Sequence, residues 1–283
     1  LEDLYKGKHQ ILKQKNKAMY KPDNRLVVNF AKYITDTFNG YFMGAPVQIK
    51  HPEERVQEYL NRLNAYNYLT SEQMELSKLC DIYGHAYELL FIDENSQVGI
   101  TWVKPQQAFV VYDDSILHRP IFGVRYYQSN DGNLEGSFSD NQNVYYFNSE
   151  YKVYDITPHV FDEVPLIEYV ENEERMGIFE SVTTLIDAYD KTLSEKLNDV
   201  EYFADAYMKV IGKRIERDDL KQLRDDRIIN LWGSNLDKLD VDFMQKPNAD
   251  STQENALDRL EKLIFHISMG ANINDENFGN TSG

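Results

Sequence analysis

The sequence predicts an α+β protein with mostly antiparallel strands, and three features of its residue pattern lead to that class. Short β-branched and aromatic runs, separated by turn residues, fill the stretch from residue 86 to residue 169. Helical periodicity dominates residues 26–83, ahead of that stretch. Two long amphipathic helices, at 178–202 and 250–270, bracket a small insert with mixed strand and helix patterns.

Helices come first along the chain, because apolar residues recur there at helical spacing. Capping residues and prolines mark where each helix should begin. The predicted elements are, in order, a helix at 26–43 capped by Asp23 or Asn24, a short strand at 46–49, a helix that starts at Pro52, and a helix from 70 or 71 to about 83.

Strand signals follow, and turn-forming residues bound each of them. The segment Asn130-Asp-Gly132 is a strong hairpin signal, because asparagine and glycine accept the positive φ of a tight turn. The predicted strands are 86–93, 99–104, 109–112, 121–128, 143–148, 151–157 and 166–169. Together with the preceding helices they predict one domain over residues 25–177.

The second half of the chain predicts two helices that leave a body and return to it in antiparallel fashion. Ser251, followed by Glu254, forms a capping box at the start of the second helix. The residues expected to pack the two helices together are Val182, Ile186, Tyr189, Leu193, Leu257, Leu260, Ile264 and Ile267. The insert between them, 203–249, has strand patterns at 206–211, 227–232 and 238–245 and a helix pattern at 216–224.

Charge limits the classes of function. Lys and Arg total 30 against 47 Asp and Glu, and the net charge of −17 opposes unaided binding to a phosphate backbone. The carboxylates of the first long helix, Asp187, Asp190, Glu195 and Asp199, are expected to stay in water, because burying an unpaired charge is costly.

Basic residues gather in two places. Residues 1–24 form a lysine-rich arm that is either solvated and partly helical or binds a neighbouring subunit or nucleic acid. The second set lies in the insert and forms either a solvated charged helix or a docking surface for partner proteins. Its members are Arg214, Arg217, Lys221, Arg224 and Trp232.

No catalytic motif is present. The chain has no phosphate-binding glycine loop, zinc-protease helix, CxxC pair or nucleophile elbow, so we expect no enzymatic activity, metal or cofactor. The single cysteine, Cys80, excludes a disulfide framework and indicates a buried thiol in a reducing compartment. One enzymatic alternative stays open, a metal-dependent nuclease or phosphotransferase that uses clustered acids such as Asp113 and Asp114.

Four segments, in the same order along the chain, resemble parts of bacteriophage portal proteins, the head-to-tail connectors of tailed double-stranded-DNA phages. The first, Asn29–Val47, is similar to the first wing helix and strand, and Tyr83-Gly-His-Ala-Tyr-Glu88 is similar to the entry to the wing sheet. Leu185–Ser194, with Asn198-Asp-Val-Glu-Tyr-Phe203, resembles a stem helix. The last segment, Asn274–Gly283, resembles the approach to the tunnel helix.

The resemblance implies a domain assignment. It makes 1–24 the N-terminal arm, 25–177 the wing, 178–202 the first stem helix, 203–249 the clip, 250–270 the second stem helix and 271–283 the start of the tunnel loop. On this basis the sequence is expected to be truncated before the tunnel helix and the crown.

The resemblance also implies a function and a set of partners. A portal subunit forms a ring of about a dozen copies at one capsid vertex of the virion, through which duplex DNA is packaged and ejected without sequence specificity. It contacts the terminase, head-completion proteins, scaffold and major capsid protein, assembles in the host cytoplasm and does not bind membranes. The alternative is an intracellular assembly or adaptor protein with a helical stalk and no role with DNA.

Overall fold

A computed structural model describes residues 1–18, 21–204, 208–211, 240–243, 250–270 and 272. These residues form two compact units. Unit 1 contains the described residues of 1–9, 28–186 and 262–283, and unit 2 contains those of 10–27 and 187–261. The mixture of helices with antiparallel sheets confirms the α+β class.

The helices of the first half confirm the predicted order. They are α1 (Glu2–Tyr5), a short 3-10 helix (Gln10–Lys13), α2 (Phe30–Phe42), α3 (Glu54–Asn67) and α4 (Leu69–Tyr83). A 3-10 turn (Glu180–Val182) precedes α5 (Thr183–Ala204), and α6 (Asp250–Ile267) lies near the end of the chain. Among the described residues, no helix combines the length and the apolar content of a membrane span.

Eight strands of unit 1 form two antiparallel sheets. The strands are β1 (His85–Ile92), β2 (Val98–Val103), β3 (Ala108–Tyr112), β4 (Pro120–Gln128), β5 (Leu134–Ser139), β6 (Asn143–Phe147), β7 (Val153–Pro158) and β8 (Leu166–Val170). One sheet has the order β2-β1-β8, and the other is a meander from β3 to β7. In unit 2, β9 (Met208–Ile211) pairs antiparallel with β10 (Asp240–Phe243).

The core of unit 1 lies where the two sheets face each other. Tyr87 of β1, Val103 of β2 and Leu166 of β8 pack against Ala108 of β3 and Val164. On the helical side, α4 packs against β1 and β2, and α2 packs against α4. The three-stranded sheet is therefore covered on both faces.

Two predictions about the start of the chain are wrong. The helix expected from residue 26 begins at Phe30, and its cap is Asn29, whose side chain accepts a hydrogen bond from the Lys32 N–H at 2.9 Å. The backbone N–H groups of Asn24 and Leu26 instead donate to side chains of α5, which holds this segment out of the helix.

The strand expected at 46–49 is also absent. The Ile49 carbonyl accepts a hydrogen bond from the Gln57 side chain at 3.2 Å, and this stretch has no strand partner in the described part of the chain. Ser251 lies inside α6 and does not precede it, since that helix begins at Asp250.

One strand escaped prediction. The β5 sequence, Leu-Glu-Gly-Ser-Phe-Ser, has weak strand propensity because glycine and serine are poor strand formers. A Cβ atom on Gly136 would lie 2.4 Å from the Arg125 carbonyl oxygen, so only glycine fits the close approach of β5 to β4. Pairing with β4 and β6 makes this segment a strand.

Gly84 joins α4 to β1. It has φ of +81°, and its N–H donates to the Cys80 carbonyl at 2.7 Å, which ends the helix. An added Cβ would lie 2.0 Å from the carbonyl oxygen of Arg175. Both the backbone angle and the packing therefore require glycine here.

We predict that Gly84→Ala lowers the free energy of unfolding by about 2 kcal/mol or more, because it combines an unfavourable φ with a backbone clash. Urea unfolding followed by circular dichroism measures the change. Gly40→Ala is the matched control, since nothing lies within 4 Å of its added Cβ inside α2. That control should stabilise the protein by about 0.5–1 kcal/mol, and equal effects at the two positions would contradict the argument.

Candidate assembly surfaces

A polar face of α5 is buried in unit 2. Asp190, Ser194 and Asn198 recur every four residues along this helix and are 0%, 1% and 5% exposed. Asn198 Oδ1 accepts hydrogen bonds from the Asn24 N–H at 2.6 Å and from its side-chain amide at 3.1 Å. Ser194 Oγ accepts from the Leu26 N–H at 2.9 Å and donates to the Asp190 carbonyl at 2.7 Å.

Residues 22–27, which we call the strap, are thus held on α5 by hydrogen bonds to its side chains. The Lys17 ammonium lies 2.7 Å from the Glu195 carboxylate, so the residues before the strap contact the same helix. Elsewhere in the arm, Glu2 accepts hydrogen bonds from Lys104 and Tyr83 in unit 1. The hydrogen bond from Lys104 is the main reason why the pKa of Glu2 falls to about 2. Much of the lysine-rich arm therefore contacts its own subunit.

The expectation that four acids of this helix stay in water is wrong for Asp190, which is fully buried. Its position, four residues before Ser194, places it on the buried face of the helix. Glu195 is 44% exposed at its side chain, whereas Asp187 and Asp199 are partly buried. The sequence pattern did not predict this buried face of α5, because helical periodicity was followed in apolar residues and the buried residues here are polar.

Within unit 2, α5 and α6 are antiparallel neighbours. The Gln253 amide donates to Asp199 at 3.1 Å, and Lys196 forms an ion pair with Glu254. Further along, burial and the carboxylates of Glu261 and Asp258 raise the pKa of Tyr189. As residue numbers fall along α5 they rise along α6, which is the antiparallel order.

The predicted packing residues differ in burial. Leu257 of unit 2 is 5% exposed, while Tyr189, Leu193 and Leu260 are partly buried. In unit 1, Val182, Ile186 and Ile264 are fully buried, but Ile267 is 43% exposed because it is the last residue of α6. Sequence analysis missed Phe265, whose ring packs edge-on against Phe30 and Tyr33 with centroids 5.7 and 5.6 Å apart.

The predicted docking residues of the insert lie outside the described residues. They are Arg214, Arg217, Lys221, Arg224 and Trp232.

Asp113 and Asp114, the clustered acids of the possible metal-dependent enzyme, lie in the turn that follows β3. Asp113 accepts hydrogen bonds from the Ser115 hydroxyl at 2.7 Å and the Arg119 N–H at 2.9 Å, so this carboxylate closes the turn between β3 and β4. In the part of the chain that the structure describes, no three His, Cys, Asp or Glu side chains are grouped to hold a metal ion.

Unit 1 contains a groove of about 470 Å³ between α2, α4 and β8, which we call the Asp81 groove. Its apolar wall consists of Phe38, Phe42, Met43 and Val47. Its acidic wall consists of Asp81, Glu88 and Glu171. An apolar rim around carboxylates suits a ligand with an aliphatic or aromatic body and a positive charge.

Asp81 is the unusual member of this groove. It is 1% exposed, and neither of its carboxyl oxygens has a hydrogen-bond partner among the described residues. Burial, assisted by the nearby Glu171, raises the pKa of Asp81 to about 8. Burial also raises the pKa of Glu171 and of Glu88. A cation in the groove would favour the charged form of all three groups.

Glu168, on the opposite face of β8, shows the usual solution to burial. Its carboxylate accepts two hydrogen bonds from Arg175, at 2.8 and 3.0 Å, and one from Tyr112 at 2.6 Å. Burial acts to raise the pKa of Glu168, but these hydrogen bonds outweigh it and leave that pKa below its ordinary value. The contrast marks Asp81 as a carboxyl group without the partner that a buried charge requires.

The free edge of the five-stranded sheet is a second exposed surface. Among the strands that the structure describes, β7 pairs only with β6, and Val153, Tyr154 and Ile156 are 45%, 60% and 55% exposed. Exposed apolar edges are uncommon in isolated domains and are sites of strand addition.

Comparisons with a family model and with individual proteins match the same family. A family model described as "Phage portal protein, SPP1 Gp6-like" matches residues 1–283. The chain is 24% identical over 204 residues to the portal protein of Bacillus phage SPP1, a match that covers 65% of this chain and 40% of the relative. It is 23% identical over 323 aligned residues to the portal protein of Clostridium phage phiCD119, covering 100% of this chain and 70% of the relative.

We predict that Asp81→Asn changes the pH dependence of stability. The folded-state pKa of about 8 exceeds the ordinary 3.8, so the folded protein binds the extra proton and loses stability as the pH rises between these values. The asparagine side chain does not titrate, so the variant avoids this loss. The free energy of unfolding of the Asp81→Asn variant, relative to wild type, should therefore rise by about 2–4 kcal/mol as the pH is raised from 5 to 8. Urea unfolding at both pH values measures the difference.

Glu168→Gln is the matched control for that prediction, since its pKa is shifted in the opposite direction. This variant should destabilise the protein near neutral pH. The loss should shrink as the pH falls below the ordinary glutamate pKa of 4.5 and through the lower folded-state pKa of Glu168. If the effect of Asp81→Asn on the free energy of unfolding did not change with pH, the raised folded-state pKa of Asp81 would be contradicted.

We also predict that Asn198→Ala loosens the strap. The substitution removes the acceptor of the Asn24 N–H, which should lower the local stability of residues 22–27 by about 1–2 kcal/mol. Amide hydrogen exchange should show faster exchange at Asn24 and Leu26 and unchanged exchange in β1. Thr192→Ala is the control, because within the described ranges the Thr192 hydroxyl donates only to the Ala188 carbonyl of the same helix. Similar exchange in both variants would show that Asn198 does not hold the strap.

Proposed function

Because the chain belongs to the SPP1 Gp6-like family of phage portal proteins, we propose that it is the subunit of a ring at one capsid vertex. Duplex DNA enters the capsid through this ring during packaging and leaves through it on ejection. The match of the family model to residues 1–283 carries this proposal. The match to the SPP1 portal protein covers 40% of that relative's length, and the activity of a whole portal protein is part of this proposal.

The antiparallel pair of α5 and α6 supports a domain assignment. We assign residues 178–202 and 250–270 to two stem helices and 203–249 to the clip between them. Residues 25–177 are the wing, with 1–24 as the N-terminal arm and 271–283 as the start of the tunnel loop. The contacts of Asp199 with Gln253 and of Lys196 with Glu254 support the pairing of the stem helices.

A sliding role for DNA is compatible with the charge of the chain. The net charge of −17 gives an overall field that repels phosphates, and such repulsion acts over about 8 Å at physiological salt. A wall that repels the backbone lets DNA pass without being held. We propose that the subunit acts as a structural protein and not as an enzyme.

The partners follow from this position in the virion. We propose that the clip contacts the terminase during packaging and head-completion proteins afterwards, through Arg214, Arg217, Lys221, Arg224 and Trp232. Arginine and tryptophan are frequent anchors of protein interfaces. Scaffold and major capsid protein surround the ring during assembly in the host cytoplasm.

Assembly of the full-length protein tests the proposal. Native mass spectrometry and negative-stain electron microscopy should show closed rings of about a dozen subunits, because heterologous contacts close by rotation. A full-length protein that never exceeds a dimer would contradict the proposed ring. Electrophoretic mobility shifts should show only weak, sequence-independent DNA binding that is lost at physiological salt, whereas tight sequence-specific binding would contradict the passive role.

A further inference from the structure

We propose that neighbouring copies of this chain associate head to tail, with α3 of one copy bound in the Asp81 groove of the next. The inference rests on the proposed ring and assigns two surfaces to one of its contacts. Both surfaces belong to unit 1. One presents arginine side chains and an aromatic ring, and the other presents carboxyl groups inside an apolar rim.

The groove supplies the acidic half of the contact. Asp81 lines it at 1% exposure with no hydrogen-bond partner for either carboxyl oxygen among the described residues. Glu171 lies at the same site and is partly exposed. At the rim, Phe42 and Val47 are 65% and 50% exposed, so the groove has apolar surface beside its carboxyl groups. A guanidinium that enters here gains a charged partner and an apolar surface for its stem.

Helix α3 supplies the basic half. None of its residues is buried, although it spans 14 residues. Arg55, Tyr59 and Arg62 recur at helical spacing on one exposed stripe, and Tyr59 is 50% exposed. No ion pair within the described ranges of the chain involves either arginine, although Glu54 and Glu58 of the same helix flank the stripe. The positive charge of α3 is therefore local to this stripe. Arginine and tyrosine are the residues most enriched at the energetic centres of interfaces.

The two surfaces lie at opposite edges of the three-stranded sheet. Its order is β2-β1-β8, with α3 packed against β2 and the groove bordered by Tyr169 and Val170 of β8. A contact between two different surfaces on opposite sides of a subunit is heterologous and repeats from copy to copy. This placement favours a second copy of the chain as the occupant, because the subunit itself presents the complementary charge.

Charge exchange tests the contact in the full chain. Arg62→Glu and Glu171→Lys should each weaken self-association by about tenfold or more, as measured by sedimentation velocity across a concentration series. The double variant, or an equimolar mixture of the two single variants, should recover most of the lost association, because each places opposite charges at the contact. Circular dichroism and thermal unfolding confirm that each variant is folded.

Arg119→Glu is the matched control. It reverses an exposed arginine in the turn before β4, outside the stripe, and should leave association unchanged. An equal loss in this control would mean that net charge governs assembly. Failure of the double variant to recover association would also overturn the proposed contact.

Cross-linking distinguishes a heterologous contact from a two-fold symmetric one. A chain that carries both Tyr59→Cys and Val47→Cys, treated with a short bis-maleimide, should give a ladder of covalent dimers, trimers and higher species. Either substitution alone should give no ladder, since the native Cys80 is 7% exposed. A product that stops at the dimer in the double-cysteine chain would overturn the head-to-tail arrangement.

The outcomes separate this contact from the portal function. If rings still form in both charge-reversal variants and the double-cysteine chain gives no ladder of cross-linked species, the α3–groove contact is overturned and the proposed function remains. A wild-type chain that stays monomeric up to about 0.1 mM would overturn both. Binding of an unrelated basic peptide to the groove, with no effect of Arg62→Glu on self-association, would assign the groove to another partner and overturn the proposal.

Discussion

The close backbone approach at Gly84 is the constraint on which the rest of unit 1 depends. Its carbonyl accepts the Glu171 N–H at 2.8 Å, and the carbonyl of Asp81, one turn earlier, accepts the Ile178 N–H at the same distance. These bonds join the end of α4 to the segment that follows β8. They fix the pairing of β1 with β8 and bring Asp81 and Glu171 to the same groove. A side chain at Gly84 would separate the two segments.

Two buried carboxylates on the β8 side of the molecule show how partners decide the cost of burial. Glu168 has a bidentate arginine and a tyrosine hydroxyl, so its charge is retained inside the protein. Asp81 has neither, and the neighbouring Glu171 makes its charged form still less favourable. Stability is therefore gained at one site and given up at the other, which is common where a surface has a function besides folding.

Unit 2 relies on polar contacts. The buried face of α5 passes from apolar residues to Asp190, Ser194 and Asn198, and the strap supplies the backbone donors that satisfy the last two. Hydrogen bonds with fixed geometry set the register of the strap on the helix more strictly than apolar contacts do.

The sequence by itself determined the α+β class, the order of the helices, most strands and the family, because periodicity, turn residues and family motifs are local signals. Tertiary structure decided the rest. Strand β5 exists because β4 and β6 pair with a glycine-containing segment, and α2 begins late because α5 takes the preceding backbone donors. The burial of Asp81 and Asp190 could not be predicted from the sequence either. A buried aspartate and an exposed one look the same in a sequence, because burial depends on which other element packs over the side chain. Such contacts join residues far apart in the chain, and no local pattern records which partners will meet.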